Sequence, residues 1–240
     1  MTGQFSGKTV MVTGAGGQIA RATVKHFADE GANLVLVDIA HEPLDACLQS
    51  LGRIEGAAIT VVSNLNDPES VDDMVKQAEK TFATIDILVH TAGGFAAGKP
   101  VHETSVTVFD QQMMLNARIL FITLGRVAKH MVENNVKGSM VAILARTGLA
   151  GAKNTAAYAA SKAAGQRIVQ SMALELKEHD IRVNGIMPST ADTSANRSAM
   201  PNANFDNWVT PKQIANTIAF LASDAASAIS GDSLAVYNKA

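Results

Sequence analysis

The chain has 240 residues, 47% of them apolar, with 20 Lys+Arg against 22 Asp+Glu. That length can bury one sizeable core and no polar linker divides it, so a single domain over 1–240 is expected. The near-neutral charge argues against nucleic acid or an anionic membrane as partner, the apolar runs are too short to span a bilayer, and the lone Cys47 rules out an internal disulfide. The opening MTGQFSGK lacks a signal-peptide pattern, so the expectation is a cytoplasmic protein with a small ligand.

Along the chain, short Val-, Ile- and Leu-rich runs alternate with longer amphipathic stretches. KTVMVTG (8–14) reads as a buried first strand. It passes through the glycine-rich turn TGAGGQIA (13–20) into a helix, QIARATVKHFADEG (18–31), that stops on Gly31. In that setting the N–H groups opening the helix can receive a pyrophosphate. ANLVLVD (32–38) is the second strand and ends on Asp38, 24 positions after Gly14, close to the spacing at which a carboxylate accepts hydrogen bonds from an adenosine ribose. A carboxylate there repels a 2′-phosphate, and no Lys or Arg stands in the turn or just after Asp38 to offset it. The expected cofactor is therefore NAD(H) rather than NADP(H).

AAITVV (57–62), a helix opening on Pro68 (68–82), DILVHTAG (86–93), GSMVAIL (138–144) and IRVNGIM (181–187) continue the alternation, and SLAVY (233–237) adds a last strand. The pattern implies an α/β fold: a Rossmann-type doubly wound sheet of about seven parallel strands with helices on both faces. One segment departs from it. Residues 189–209, STADTSANRSAMPNANFDNWV, are small and polar, with Met200, Phe205 and Trp208 as the large apolar groups, and read as a substrate lid in preference to an ordinary surface loop.

In AYAASKAAG (157–165), Tyr158 and Lys162 are four positions apart, stacked on one helix face. A cation beside a phenol favours phenolate and equips the pair to move a proton. Upstream, VAILARTG (141–148) offers Ala145 and no serine. The histidines at 26, 41, 90, 102, 130 and 179 show no metal-ligand spacing, so no metal is expected, and no Gly-x-Ser-x-Gly elbow supports a hydrolase.

Taken together, the glycine turn, HTAG (90–93), Asn116, the Tyr-x-x-x-Lys pair and RVNGIMP (182–188) resemble the short-chain dehydrogenase/reductase family from about Gly7 to Val236. The resemblance implies an NAD(P)-binding domain with strand order 3-2-1-4-5-6-7. It implies Tyr158 as the acid/base and Lys162 as its partner, which binds the nicotinamide ribose and lowers the phenol's pKa. Asn116 helps hold a proton-relay water. Cofactor contacts carry over to Gly14, Gly17, Gln18 and Ile19 in the turn and to Asp38 and Ile39 after the second strand. They continue at Asn64 and Leu65 after the third strand, Ala92 and Gly93 after the fourth, and Pro188, Ala191 and Thr193 after the sixth, with Tyr158 and Lys162 beside them.

Departures from the family pattern fall at the site. The usual serine, thirteen residues before the tyrosine, is Ala145, and one lost donor to a developing oxyanion can cost about 10²–10³ in rate. Thr147, on the same side as Ala145 if the strand stays extended, is one substitute; Arg146, which alternation sends to the other face, and Ser189 are two more. Gln18 and Ala20 stand where glycines are usual, His90 and Thr91 replace asparagines, Asn64 replaces an aspartate near adenine, and SLAVYNKA lacks paired glycines. The implied reaction is hydride exchange between nicotinamide and a carbonyl or alcohol, or a C=N or conjugated group that builds less oxyanion charge. The alternative is a non-catalytic NAD-binding or scaffolding protein. The family also implies a homo-oligomer, tetramer or dimer, through the helices carrying Asn116 and Tyr158.

Overall fold

The computed structural model describes residues 3–239. Its parallel sheet holds β1 (Thr9–Thr13), β2 (Asn33–Asp38), β3 (Ala58–Val62), β4 (Ile87–His90), β5 (Ser139–Ile143), β6 (Arg182–Pro188) and β7 (Ser233–Val236), in the order β3-β2-β1-β4-β5-β6-β7. β1 and β4 are buried along their whole length, as expected of inner strands covered on both faces. The chain winds outward from β1 to β2 on one side and continues through β4 on the other. At that reversal a crevice opens beyond the carboxyl ends of the strands.

Two apolar layers sandwich the sheet. On one face α1 (Gln18–Asp29), α2 (His41–Leu51) and α8 (Pro211–Ala222) bury Val24, Phe27, Leu44, Ile218 and Leu221. On the other, α3 (Pro68–Phe82), α5 (Ile119–Glu133) and α6 (Ala156–Glu175) bury Met74, Leu124, Val127 and Val169. Helix starts follow local chemistry. Asp67 accepts from the Glu69 N–H at 3.1 Å ahead of Pro68, and Thr210 and Gln213 cap α8 reciprocally ahead of Pro211. α1 differs: its cap is Gly17, with no side-chain bond to the first turn. α4 (Val106–Met113) runs into α5 through a π-helical turn, Met114–Arg118, that carries Asn116.

Residues 189–209 are more ordered than their polar composition suggests. Thr193 caps a short helix, α7 (Ser194–Ala199), by accepting from the Asn196 N–H at 3.3 Å. Ala191 and Val209 pair in a parallel bridge, Val209 and Trp208 are buried, and the Trp208 ring meets Phe205 at 4.8 Å. Ala191 and Val209 join the apolar layer of α1 and α8 and fasten the segment to the body, while Met200 stays exposed.

Candidate active site

A cleft of about 800 Å³ occupies the crevice at the strand reversal. Gly14 turns there with φ +68°, and a Cβ on it would come within 3.0 Å of the Ala92 backbone, so only glycine lets β1 and β4 end this close. Asp38 accepts from the Gly16 N–H at 2.9 Å and from the Ile39 N–H at 2.7 Å, which fixes its carboxylate at the cleft wall. The uncapped first turn of α1 faces the same space. These residues fit a dinucleotide: open N–H groups for a pyrophosphate, an oriented carboxylate for a ribose, and room for both.

Gln18 does not obstruct the turn. Its Oε1 accepts from Ser194 N at 2.7 Å and from Ser194 Oγ at 3.2 Å, so the side chain reaches across to the start of α7. Gly14, Gly17, Gln18, Ile19, Asp38, Ile39, Asn64, Leu65, Ala92, Gly93 and Thr193 all line this cleft. Asn64 already accepts from the Asn66 N–H at 3.1 Å. Pro188 and Ala191 instead line a smaller recess of about 390 Å³, shared with Ala145, Thr147, Tyr158 and Ser189. Ile19 and Ile143 border both spaces.

Lys162 is buried beneath this junction and donates to the Ile143 carbonyl at 2.9 Å. Its Nζ lies 5.9 Å from the centroid of the Tyr158 ring. Burial pushes the ammonium down to about 8 and the phenol up to about 12. The lowering of the phenol expected from the pair is thus outweighed by desolvation, because the ammonium is bonded to a carbonyl rather than to the phenol oxygen. Asn116, also buried, grips the loop after β4: its Oδ1 accepts from Gly94 N at 3.1 Å and its Nδ2 donates to Gly94 O at 2.9 Å. The same Nδ2 lies 3.1 Å from Ser161 Oγ, which donates to the Tyr158 carbonyl at 2.7 Å. A network therefore links the Asn116 turn, the Gly94 loop and the helix bearing Tyr158. At position 93 a Cβ would sit 2.9 Å from Asn116 Oδ1, so a side chain there would push the Asn116 amide away from Gly94.

The three substitutes for the missing serine separate clearly. The strand does not stay extended: β5 ends at Ile143 and Arg146–Gly148 form a 3₁₀ turn, so strand alternation does not govern this stretch. Thr147 still lines the recess, but its Oγ1 is buried and has no hydrogen-bond partner among the described residues. Arg146 also lines the recess, with its guanidinium carbon 5.0 Å from the centroid of the Tyr237 ring. Ser189 is a poor donor to a substrate, because its hydroxyl already donates to the Tyr237 carbonyl at 2.9 Å.

His90 stays neutral, its pKa pushed down to about 3 by burial and by Lys162, with Nδ1 3.0 Å from Thr13 Oγ1. Sequence reasoning missed Phe95, whose ring stands edge-on to Tyr158 at 4.8 Å, and Ile143, whose carbonyl holds Lys162. Phe95 carries no periodic or motif signal, and Ile143 reads only as part of the apolar β5 run. Among the described residues no group of three His, Cys, Asp or Glu side chains is placed to hold a metal, and no helix is long and apolar enough to cross a membrane.

Fold and cleft together define a class, a doubly wound α/β domain of the dinucleotide-binding type. The family model for short chain dehydrogenase matches residues 8–204, and the chain belongs to that family of oxidoreductases. L-rhamnose 1-dehydrogenase (NAD(P)(+)) of Sphingomonas sp. (strain SKA58) is 30% identical, over 97% of this chain and 95% of its own. A 2,5-dichloro-2,5-cyclohexadiene-1,4-diol dehydrogenase of Sphingobium indicum is 31% identical over 96% of each chain. Among solved structures, NAD⁺-bound xylitol dehydrogenase superposes with a TM-score of 0.91 at 27% identity, covering 98% of this chain and 99% of that one.

Proposed function

We propose that the protein is an NAD(H)-dependent oxidoreductase exchanging a hydride between the nicotinamide and a small carbonyl, alcohol, imine or conjugated substrate, with Tyr158 as acid/base. The observation that carries this reading is that the dinucleotide cleft and the recess lined by Tyr158 share a wall at Ile19 and Ile143. The nucleotide, when bound, supplies or takes the hydride. Each Asp38 oxygen keeps a lone pair for ribose hydroxyls, and the cleft lining contains no Lys or Arg to balance a 2′-phosphate. Tyr158, at about 12, is protonated at neutral pH and stands as a donor to a substrate oxygen. Lys162 favours phenolate once that proton leaves, and Asn116 positions the Gly94 loop, whose neighbours Gly93 and Phe95 lie against Lys162 and Tyr158.

Thr147 takes the place of the serine. A buried hydroxyl without a partner costs about 1–3 kcal/mol, and a χ1 rotation that presents it to a substrate oxygen removes that cost. Residues 189–209 serve as the lid, a role supported by the bonds from Ser194 to Gln18. Phe109 and Phe121, exposed on α4 and α5, support assembly of the chain into a homo-oligomer.

Fluorescence titration with NADH and NADPH tests the cofactor reading, and turnover of dicarbonyl, quinonoid or imine acceptors with NADH tests the chemistry. NADH is expected to bind in preference, and Tyr158→Phe to abolish turnover while leaving NADH affinity intact. Binding of neither nucleotide would instead support the non-catalytic alternative.

A further inference from the structure

The recess above Tyr158 is walled mainly by apolar groups, Ile19, Phe95, Leu144 and Met200 among them. At about 390 Å³ it lies near the lower end of the ~300–1,000 Å³ of small-molecule pockets, a size for a single ring or a short chain. One charged side chain lines it, Arg146. The neighbouring Arg197 is committed: Asp192 holds it at 2.5 and 2.8 Å. Among the described residues Arg146 has no carboxylate partner.

Arg146 is exposed, and an aromatic ring orients its guanidinium. It lies over the Tyr237 ring, and the bond from Ser189 Oγ to the Tyr237 carbonyl fixes that residue in turn. Stacking orients the cation without neutralising it, so its donors stay available to a ligand. We propose that the recess selects an apolar compound bearing one carboxylate, with the reacting carbon at Tyr158 and the carboxylate on Arg146. This rests on the functional reading above.

A guanidinium presents paired donors that match a carboxylate. One positive charge balances one negative charge, whereas a phosphate dianion would leave a second charge uncompensated against apolar walls. A sugar or polyol carries no charge to pair with Arg146, and two of the recess's polar groups are already engaged: Ser189 with the Tyr237 carbonyl, and the Asn196 amide with the Ala191 carbonyl at 2.8 Å.

The test is calorimetric binding of cyclohexanecarboxylate, its neutral carboxamide and cyclohexyl phosphate, to the wild-type protein and to Arg146→Gln, with and without saturating NADH. Wild type is expected to prefer the carboxylate to the amide by about tenfold, and Arg146→Gln to erase that preference while NADH affinity and Tm stay unchanged. Equal binding of carboxylate and amide by wild type, or an undiminished preference in Arg146→Gln, would overturn the proposal, as would tighter binding of the phosphate. If NADH fails to bind, the cofactor reading falls by itself, and the carboxylate preference is still read on the nucleotide-free protein.

Discussion

Replacing Lys162 with methionine separates what the side chain does for activity from what it does to stability. Lys162 is buried, and desolvation lowers its pKa from 10.5 to about 8. Between those values the unfolded chain binds a proton on this amine that the folded protein does not, so wild-type stability rises with pH across the window. Below about 8 both states are protonated, and the folded protein carries the full penalty of a buried charge. At ~1.4 kcal/mol per pH unit that penalty is roughly 3 kcal/mol at pH 7. Methionine is similar in length and uncharged, and it forfeits the bond to the Ile143 carbonyl, worth about 1–2 kcal/mol. Lys162→Met should therefore be more stable than wild type by about 1–2 kcal/mol at pH 7, raising Tm by roughly 2–8 °C. At pH 10 the wild-type penalty has fallen below about 1 kcal/mol, and the advantage disappears. Urea unfolding of both proteins at the two pH values measures this, while NADH-dependent turnover should be lost in the variant. A variant less stable at pH 7, or one with the same gain at both pH values, would refute the assignment of Lys162 as a buried, charge-penalised amine.

Thr147→Val removes a buried, unpartnered hydroxyl while keeping the side chain's shape. It should stabilise the fold by about 1 kcal/mol in urea unfolding and reduce kcat/KM by about 10²-fold, a split that a purely structural threonine would not produce. Ser189→Ala, measured alongside, should cost far less in rate, since that hydroxyl is already bonded to Tyr237. Gln18→Gly cuts the two bonds to Ser194 across the cleft, and stopped-flow displacement of NADH should show release accelerated by about fivefold or more. An unchanged release rate would mean that the Gln18 contact does not restrain the lid.

The parts of the fold and site that could be read from the chain alone are those encoded over short distances. β1 and β4 announce themselves as unbroken apolar runs because both faces of an inner strand are covered. Gly14 and Asp38 bracket one β-turn-α-β unit, and Tyr158 and Lys162 share one helix face, so spacing places each pair. The fate of the serine substitutes was not legible. Strand alternation puts Thr147 on the side of Ala145, but β5 stops at Ile143 and a 3₁₀ turn follows. Ser189 looked free until the fold brought it to Tyr237, 48 positions away. The polar composition of 189–209 likewise concealed a capped helix and a buried Trp208.

The sequence by itself determined the alternating α/β layout, the dinucleotide turn with its acidic partner, and the tyrosine–lysine pair, because each depends on periodicity or on neighbours within one unit. Only the tertiary structure decided that Gln18 reaches Ser194 rather than filling the turn, that burial raises the Tyr158 phenol, and that Arg146 lines the recess with no carboxylate partner among the described residues. Those outcomes depend on desolvation and on contacts between segments far apart in the chain, which exist only once the crossovers have brought the strand ends together.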